Sequence, residues 1–599
     1  MLTRRCFAIV AVLATVTLAT QAQEKPSLDG TWLLSYGGLP VTQTRLGILK
    51  IETEDGKSTV NVVAGSPQKG ATPPTFSDLK IDGAKISFKI GLGPNKFSFE
   101  GTIDPKNPKK ILGNFGDNDR VFRAALESTE LKKLEQKDMF FSESPSPKMA
   151  EINDLRRAPN AARAKARQEE DSDEKAKLLK EATELQKVSD EKTPGLYKEL
   201  VKETESPYAL TAAEALLAQA AKIKASADDV ATWAKLLEAD SKKYGARIEQ
   251  TGIAKLASTI AGQDGFADIA MTYAERAAGV PNMPPKNRVA ALKVLALVQT
   301  KSGKTELAQK TEIEIAKIDE QLDTEYNATV PPFKPKKYEG RTDKSANKVA
   351  VMELFTGTQC QPCVAADVGY DGLIKSYKPQ DVILIQYHLH IPGPDPLTNA
   401  DSVARSEYYN KVAKGAIGGT PSTLFNGKSL AGGGGGMANS EKKYNEYSEI
   451  LNETLEKSTD IKLAGSLKRA DDALTVTVDV TGMKEPKDTL KLRLLLLEDN
   501  IRYVGSNGVR FHHHVVRSLL GTGKGIAVTD MKDGKHTATQ SVKALQADLK
   551  KYLDEYNATS PFPYPDRPLA LKGLTVVAII QDDATGEILQ AIQLENGGA

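Results

Sequence analysis

Hydrophobic and polar positions along this chain change their period from one stretch to the next. From 27 to 129 they alternate two by two: TWLLSYG from Thr31, LGILKIE from Leu46, STVNVV from Ser58, KISFKI from Lys85, KFSFEG from Lys96 and RVFRAA from Arg120. Alternation of this kind suits strands with one buried face. Turn signals such as Glu54-Asp55-Gly56-Lys57 and Asp82-Gly83-Ala84-Lys85 separate the runs. The expectation for 27–129 is an all-β domain, a small antiparallel barrel or sandwich.

From 130 to 325 the composition shifts to Ala, Lys, Glu and Leu, and apolar positions recur at helical spacing, as in ALTAAEALLAQA from Ala209 and VAALKVLALV from Val289. Breaks are expected at Pro145-Ser146-Pro147, Thr193-Pro194-Gly195, Ser206-Pro207 and between Pro281 and Pro285. GFADIAMTYAE from Gly265 is similar to a tetratricopeptide helix, but its spacing does not recur. An α-helical array follows, either a spacer or a surface for a protein partner. The charged run 163–187 reads as a solvated helix face.

The Pro- and Lys-rich stretch 326–348 reads as a linker. Residues 349–457 form an αβ pattern built around VAVMELFTGTQCQPC, which starts at Val349. The rest, 458–599, returns to strands (LTVTVDV from Leu474, LKLRLLLL from Leu490, LTVVAIIQ from Leu574) with one helix between Val542 and Tyr556. A C-terminal β-sandwich packed on the αβ domain is the expectation there.

At 599 residues, a prior of roughly 150 per domain agrees with a multidomain chain of about four. A net charge of +2 gives no field that would draw nucleic acid. Residues 1–22 read as a signal peptide: Arg4 and Arg5, an apolar run from Cys6 to Leu18, then Thr20-Gln21-Ala22 as small-residue cleavage positions. Cys6 stands at the start of that run rather than after it, which argues against lipid attachment. The expectation is a periplasmic or secreted protein.

Export changes how the cysteines read. Beyond Cys6 the chain has only Cys360 and Cys363, whereas exported folds that depend on disulfides usually carry several. Strand, turn and then helix would place Cys360 at a helix N-terminus, where free N–H groups stabilise a thiolate. Cys363, one turn in, can reach it, and Pro362 needs no donor in a first turn.

With a second strand running up to His388 and the Thr420-Pro421 start of a third, this segment resembles the thioredoxin superfamily. The likeness covers about a fifth of the chain and extends to secreted bacterial multidomain thioredoxin-like proteins with a C-terminal β-domain. It implies a thiol–disulfide oxidoreductase with a redox-active Cys360–Cys363 disulfide and no other cofactor. Thr420, Pro421 and Pro362 would hold the substrate backbone, and the Thr420–Pro421 bond would be cis. Glu353 lies near the family's buried carboxylate, the proton acceptor of the resolving cysteine, although a longer turn could leave it facing solvent. Protein or small thiols and a redox partner are the implied partners. The family's flanking tryptophans are absent, and an insertion from Tyr387 to Asn399 is present.

Other readings stay open. Five of the six histidines fall in two clusters, His388 with His390 and His512, His513 and His514. With the thiolates they could hold zinc or copper. The cysteine pair could be a permanent staple in a non-catalytic envelope scaffold. Gly432 to Gly436 lacks the Lys-Ser/Thr ending of a phosphate loop and reads as a flexible connection.

Overall fold

The computed structural model describes residues 28–65, 73–93, 95–117, 120–169, 171–413, 415–521, 523–562 and 566–595. The expected signal peptide, 1–22, and Cys6 lie outside them. The chain divides into two units, Met1–Glu320 and Gln321–Ala599.

In the first unit, eight strands between Gly30 and Ser128 make an antiparallel sheet in which the first strand, Gly30–Gly37, pairs with the last, Val121–Ser128. Lys57–Ala64 and Thr75–Asp82 end that path, giving a nearly closed barrel, and Phe140–Ser142 adds a ninth strand against Thr42–Glu54. Alternate residues fill it: Trp32, Leu34, Leu49, Phe88 and Phe99 are buried together. The Trp32 indole N–H donates to the Leu28 carbonyl at 2.9 Å, so this ring is part of the packing.

A helical array follows, from Pro147–Gln168 to Thr305–Thr329. Its core gathers Leu216, Trp233, Leu256 and Ala274. Pro194 does not break the array. It lies inside the helix Ser172–Leu200, whose buried Thr193, Tyr197 and Leu200 hold the turns around it. Arg123 of the last barrel strand reaches Asp240 of the helices at 2.9 Å.

The second unit is organised by a nine-stranded sheet. Eight of its strands run in the order Lys428–Ala431, Ser422–Phe425, Ala350–Thr356, Val382–His388, Val515–Leu520, Leu490–Glu498, Leu574–Asp582, Ile588–Glu595. This corrects the expected separate sandwich over 458–599. Five late strands extend the sheet begun by Ala350–Thr356, Ile526–Ala527 pairing with Leu490–Glu498 off the main path, and the junction is the parallel pairing of Gln386 with Val515. The reason is double-sided burial. Leu494 and Leu496 pack against Val476 and Leu549 on one face, while Leu495 and Leu497 pack with Tyr409 on the other. A strand buried on both faces belongs in a sheet interior. A separate three-stranded sheet, Lys462–Ala470, Ala473–Thr481 and Lys535–Ser541, supplies part of one covering layer.

The stretch 330–348, expected as linker, is packed. Phe333 lies against Tyr444 with ring centroids 5.1 Å apart, and the Arg341 guanidinium donates to the carbonyls of Lys348 and Leu455. Among the described residues, no helix is long and apolar enough to cross a membrane.

Candidate functional site

All seven residues of the strand Ala350–Thr356 are buried. It pairs in parallel with Val382–His388 and antiparallel to Ser422–Phe425. Its even positions, Met352 and Leu354, pack on Ala366, Tyr370 and Leu373 of the helix Val364–Ser376. Its odd positions, Val351 and Phe355, face Tyr409 on the other side. After the turn from Gly357, Cys360 is extended, and a 3-10 turn, Gln361–Cys363, leads into that helix with Pro362 in its first turn. Cys360 and Cys363 form a disulfide with Cα atoms 5.3 Å apart. Both are covered, at 2% and 0% exposure. The Cys360 sulfur lies 3.5 Å from the Thr420 carbonyl oxygen, and the Thr420–Pro421 bond is cis.

Glu353 needs correcting. It neither faces solvent nor lies beneath the cysteines. As an odd position, its side chain emerges on the face away from the cysteine helix. There it accepts from Arg405 Nε at 3.0 Å and Nη2 at 2.8 Å, from Tyr387 at 2.8 Å, and from the Tyr409 hydroxyl. Arg405 also donates to Gln581 at 2.7 Å. Glu353 is therefore half of a fully buried ion pair that ties the early strands to the late ones.

The buried acid on the cysteine side is Asp367, which the sequence reading missed. It follows Cys363 by four residues on one helix, a spacing that shares a face. Its oxygens accept from Thr356 Oγ1 and Gln386 Nε2, both at 3.0 Å. Burial pushes its carboxyl well above the usual range, against those two hydrogen bonds, and the nearby Asp371 and Asp395 add to the rise. The Asp367 carboxyl therefore keeps its proton to a higher pH than an exposed aspartate does. The helical register, read from Cys363, would have found it.

From Asp367 the hydrogen bonds continue through Gln386 to His388 Nε2 (3.4 Å), from His388 Nδ1 to Asp395 (2.9 Å), and from Asp395 to the Thr358 amide (2.6 Å), two residues before Cys360. The insertion therefore buttresses the cysteine turn. His390 stacks on Tyr556 with centroids 3.5 Å apart, and burial pulls its pKa down to about 4. His512 packs edge-on against His388, and burial lowers it to about 3. His513 pairs with Asp499 at 2.9 Å, and His514 meets the Tyr370 hydroxyl at 3.3 Å.

These five histidines do not gather into one cluster. Each ring meets a protein partner, His512 through Nε2 on the Tyr503 carbonyl at 3.0 Å, while His512 Nδ1 is buried and has none among the described residues. Among the described residues no group of three His, Cys, Asp or Glu side chains is placed to hold an ion. The glycine run is corrected too. Gly435 N donates to the Pro362 carbonyl at 2.7 Å and its own carbonyl accepts from Ala365 N at 2.9 Å, so the run is seated against the cysteine turn.

No family model matches the chain, and no curated protein matches it. Among solved structures, an X-ray structure of a protein from Agrobacterium tumefaciens matches at a TM-score of 0.26. It has 18% identity and covers 42% of this chain and 96% of that one. So low a score assigns neither fold nor activity.

Proposed function

We propose that the segment 349–457 is a thioredoxin-like module and that the protein is an exported thiol–disulfide oxidoreductase. One observation carries the reading: a Cys360–Cys363 disulfide opens a helix on a parallel strand pair, with the Thr420 carbonyl against the Cys360 sulfur. In the reduced protein the Cys360 thiolate attacks a substrate disulfide, forming a mixed disulfide and releasing one substrate thiolate. Cys363 then attacks the Cys360 sulfur, breaks the mixed bond and releases the second thiolate. Two electrons pass to the substrate, and the Cys360–Cys363 bond re-forms.

Run in reverse, the same groups oxidise a dithiol. Cys363 then leaves as a thiolate in a buried site, and Asp367, whose carboxyl burial raises, stands four residues on as the candidate proton donor. Thr420, Pro421 and Pro362 line the approach. Protein or small thiols and a separate redox partner complete the cycle. The helical array offers a surface for choosing partners.

A second reading, a non-catalytic envelope scaffold in which the pair is a permanent cross-link, is favoured by the burial of both sulfurs. Thiol trapping in glutathione buffers separates the two. A potential between about −120 and −270 mV fits exchange, whereas a pair still oxidised below roughly −300 mV fits the cross-link.

A further inference from the structure

The turn bearing Cys360 is gripped from three sides by segments distant in sequence. The first is a hairpin between the short strands Ile501–Arg502 and Phe511–His512. At its tip the Asn507 amide donates to the Thr358 carbonyl at 3.1 Å and the Asn507 side chain to the Gly357 carbonyl at 3.2 Å. Ser506 Oγ donates to the Gln359 carbonyl at 3.4 Å, and Gln361 Nε2 returns a bond to the Ser506 carbonyl at 2.7 Å. Gly505 rests on Thr358 so closely that a Cβ there would overlap the Thr358 carbonyl oxygen.

The second segment is the glycine run. A Cβ at Gly434 would overlap the Pro362 carbonyl oxygen and stand 2.8 Å from the Pro421 ring. Lys443 Nζ donates to the Gly432 carbonyl and fixes the start of the run. The third is the insertion. Its Pro394 carbonyl accepts from Gln359 Nε2 at 3.4 Å, and its Ile391 carbonyl from Thr420 Oγ1 at 3.4 Å. Two of the three grips depend on a missing side chain, Gly505 over residue 358 and Gly434 over residue 362.

We infer that Gly434 and Gly505 are specificity-determining residues of this site, closing it to folded protein partners and leaving it to low-molecular-mass thiols. The inference rests on the thiol-exchange reading. An incoming thiolate must line up with the S–S bond behind Cys360. A folded partner brings a footprint of about 800 Å² with its sulfur and needs the whole rim cleared. A small thiol needs only local opening of one loop, a motion of the nanosecond-to-microsecond class. Its thiolate attacks the Cys360 sulfur and releases Cys363, which takes a proton. A second thiol attacks the mixed disulfide, so two thiols leave as one disulfide and the protein gains two electrons and two protons.

The test uses the oxidised full-length protein and follows thiol release by alkylation, with dithiothreitol as the small thiol and reduced thioredoxin as the protein dithiol. The parent is expected to react with thioredoxin about 100-fold more slowly than with dithiothreitol at equal thiolate concentration. Gly434→Ala and Gly505→Ala are expected to narrow that ratio by about tenfold, mainly by raising the thioredoxin rate. Asn507→Ala loosens the hairpin tip without a clash and should narrow the ratio in the same direction if the glycine variants do not fold. A parent that reacts equally with both reagents, or a ratio unmoved in every folded variant, overturns the inference while leaving thiol exchange standing. A pair that neither reagent opens, in parent or variants, overturns the exchange reading and the inference together.

Discussion

Asp367 follows Cys363 by one turn of the same helix, and neither side chain is more than 2% exposed. Burial raises the Asp367 carboxyl above its unfolded value of 3.8. The folded protein therefore holds a proton that the unfolded chain releases as pH rises. Its stabilising contribution is complete below that unfolded value and is lost as pH climbs toward the folded pKa. Asp367→Asn mimics the neutral acid. Its urea midpoint relative to the parent should match at pH 4 and move ahead by pH 8. Equal differences at both pH values would sink the upward shift of the Asp367 carboxyl.

Glu353→Gln tests the opposite face. The change leaves the Arg405 guanidinium buried without its charge partner, a loss of about 3–5 kcal/mol for pairs of this kind. Urea unfolding should show that loss. The Cys360–Cys363 reduction potential should stay where it was, since the sheet separates the two groups. A shifted potential would return Glu353 to the redox site.

His512 gives the reverse pH slope. Burial holds it near a pKa of about 3, below its ordinary value of 6.5. The folded protein keeps the ring neutral while the unfolded chain takes up a proton. Stability from this group is full above pH 6.5 and falls as pH drops toward 3, by about 1.4 kcal/mol per unit. His512→Gln should remove one proton from the stability slope between pH 4 and 6. An unchanged slope would mean that the histidine is already charged in the fold.

Ending the chain after Lys457 would strip five strands from the large sheet and bare the edge of Val382–His388. The fragment is expected to lose near-ultraviolet dichroism and to bind hydrophobic dye. A cooperative unfolding transition in it would restore the domain boundary at 457 that the sequence suggested.

The barrel strands, the helical array and the strand–CxxC–helix order were legible because period two, period 3.6 and the cysteine spacing are local signals. The boundary at 457 misled because the run from Leu490 looks the same whether it lies in a sandwich or in a wide sheet. Its four consecutive leucines, Leu494 to Leu497, were the clue to two covered faces. Glu353 misled because family spacing placed it by number, while strand parity turned it away from the cysteines. The grip of Gly505 and Gly434 left no local trace, since it joins backbone to backbone across long separations.

Gln361 and Ser506 are 145 residues apart in the chain. During synthesis both cysteines emerge well before the hairpin that will shelter them exists. The last strand, Ile588–Glu595, is made later still. The cover of the pair is complete only when the C-terminal strands have joined the sheet. The two sulfurs are thus open to reagents first and sheltered later, with chain growth setting the order.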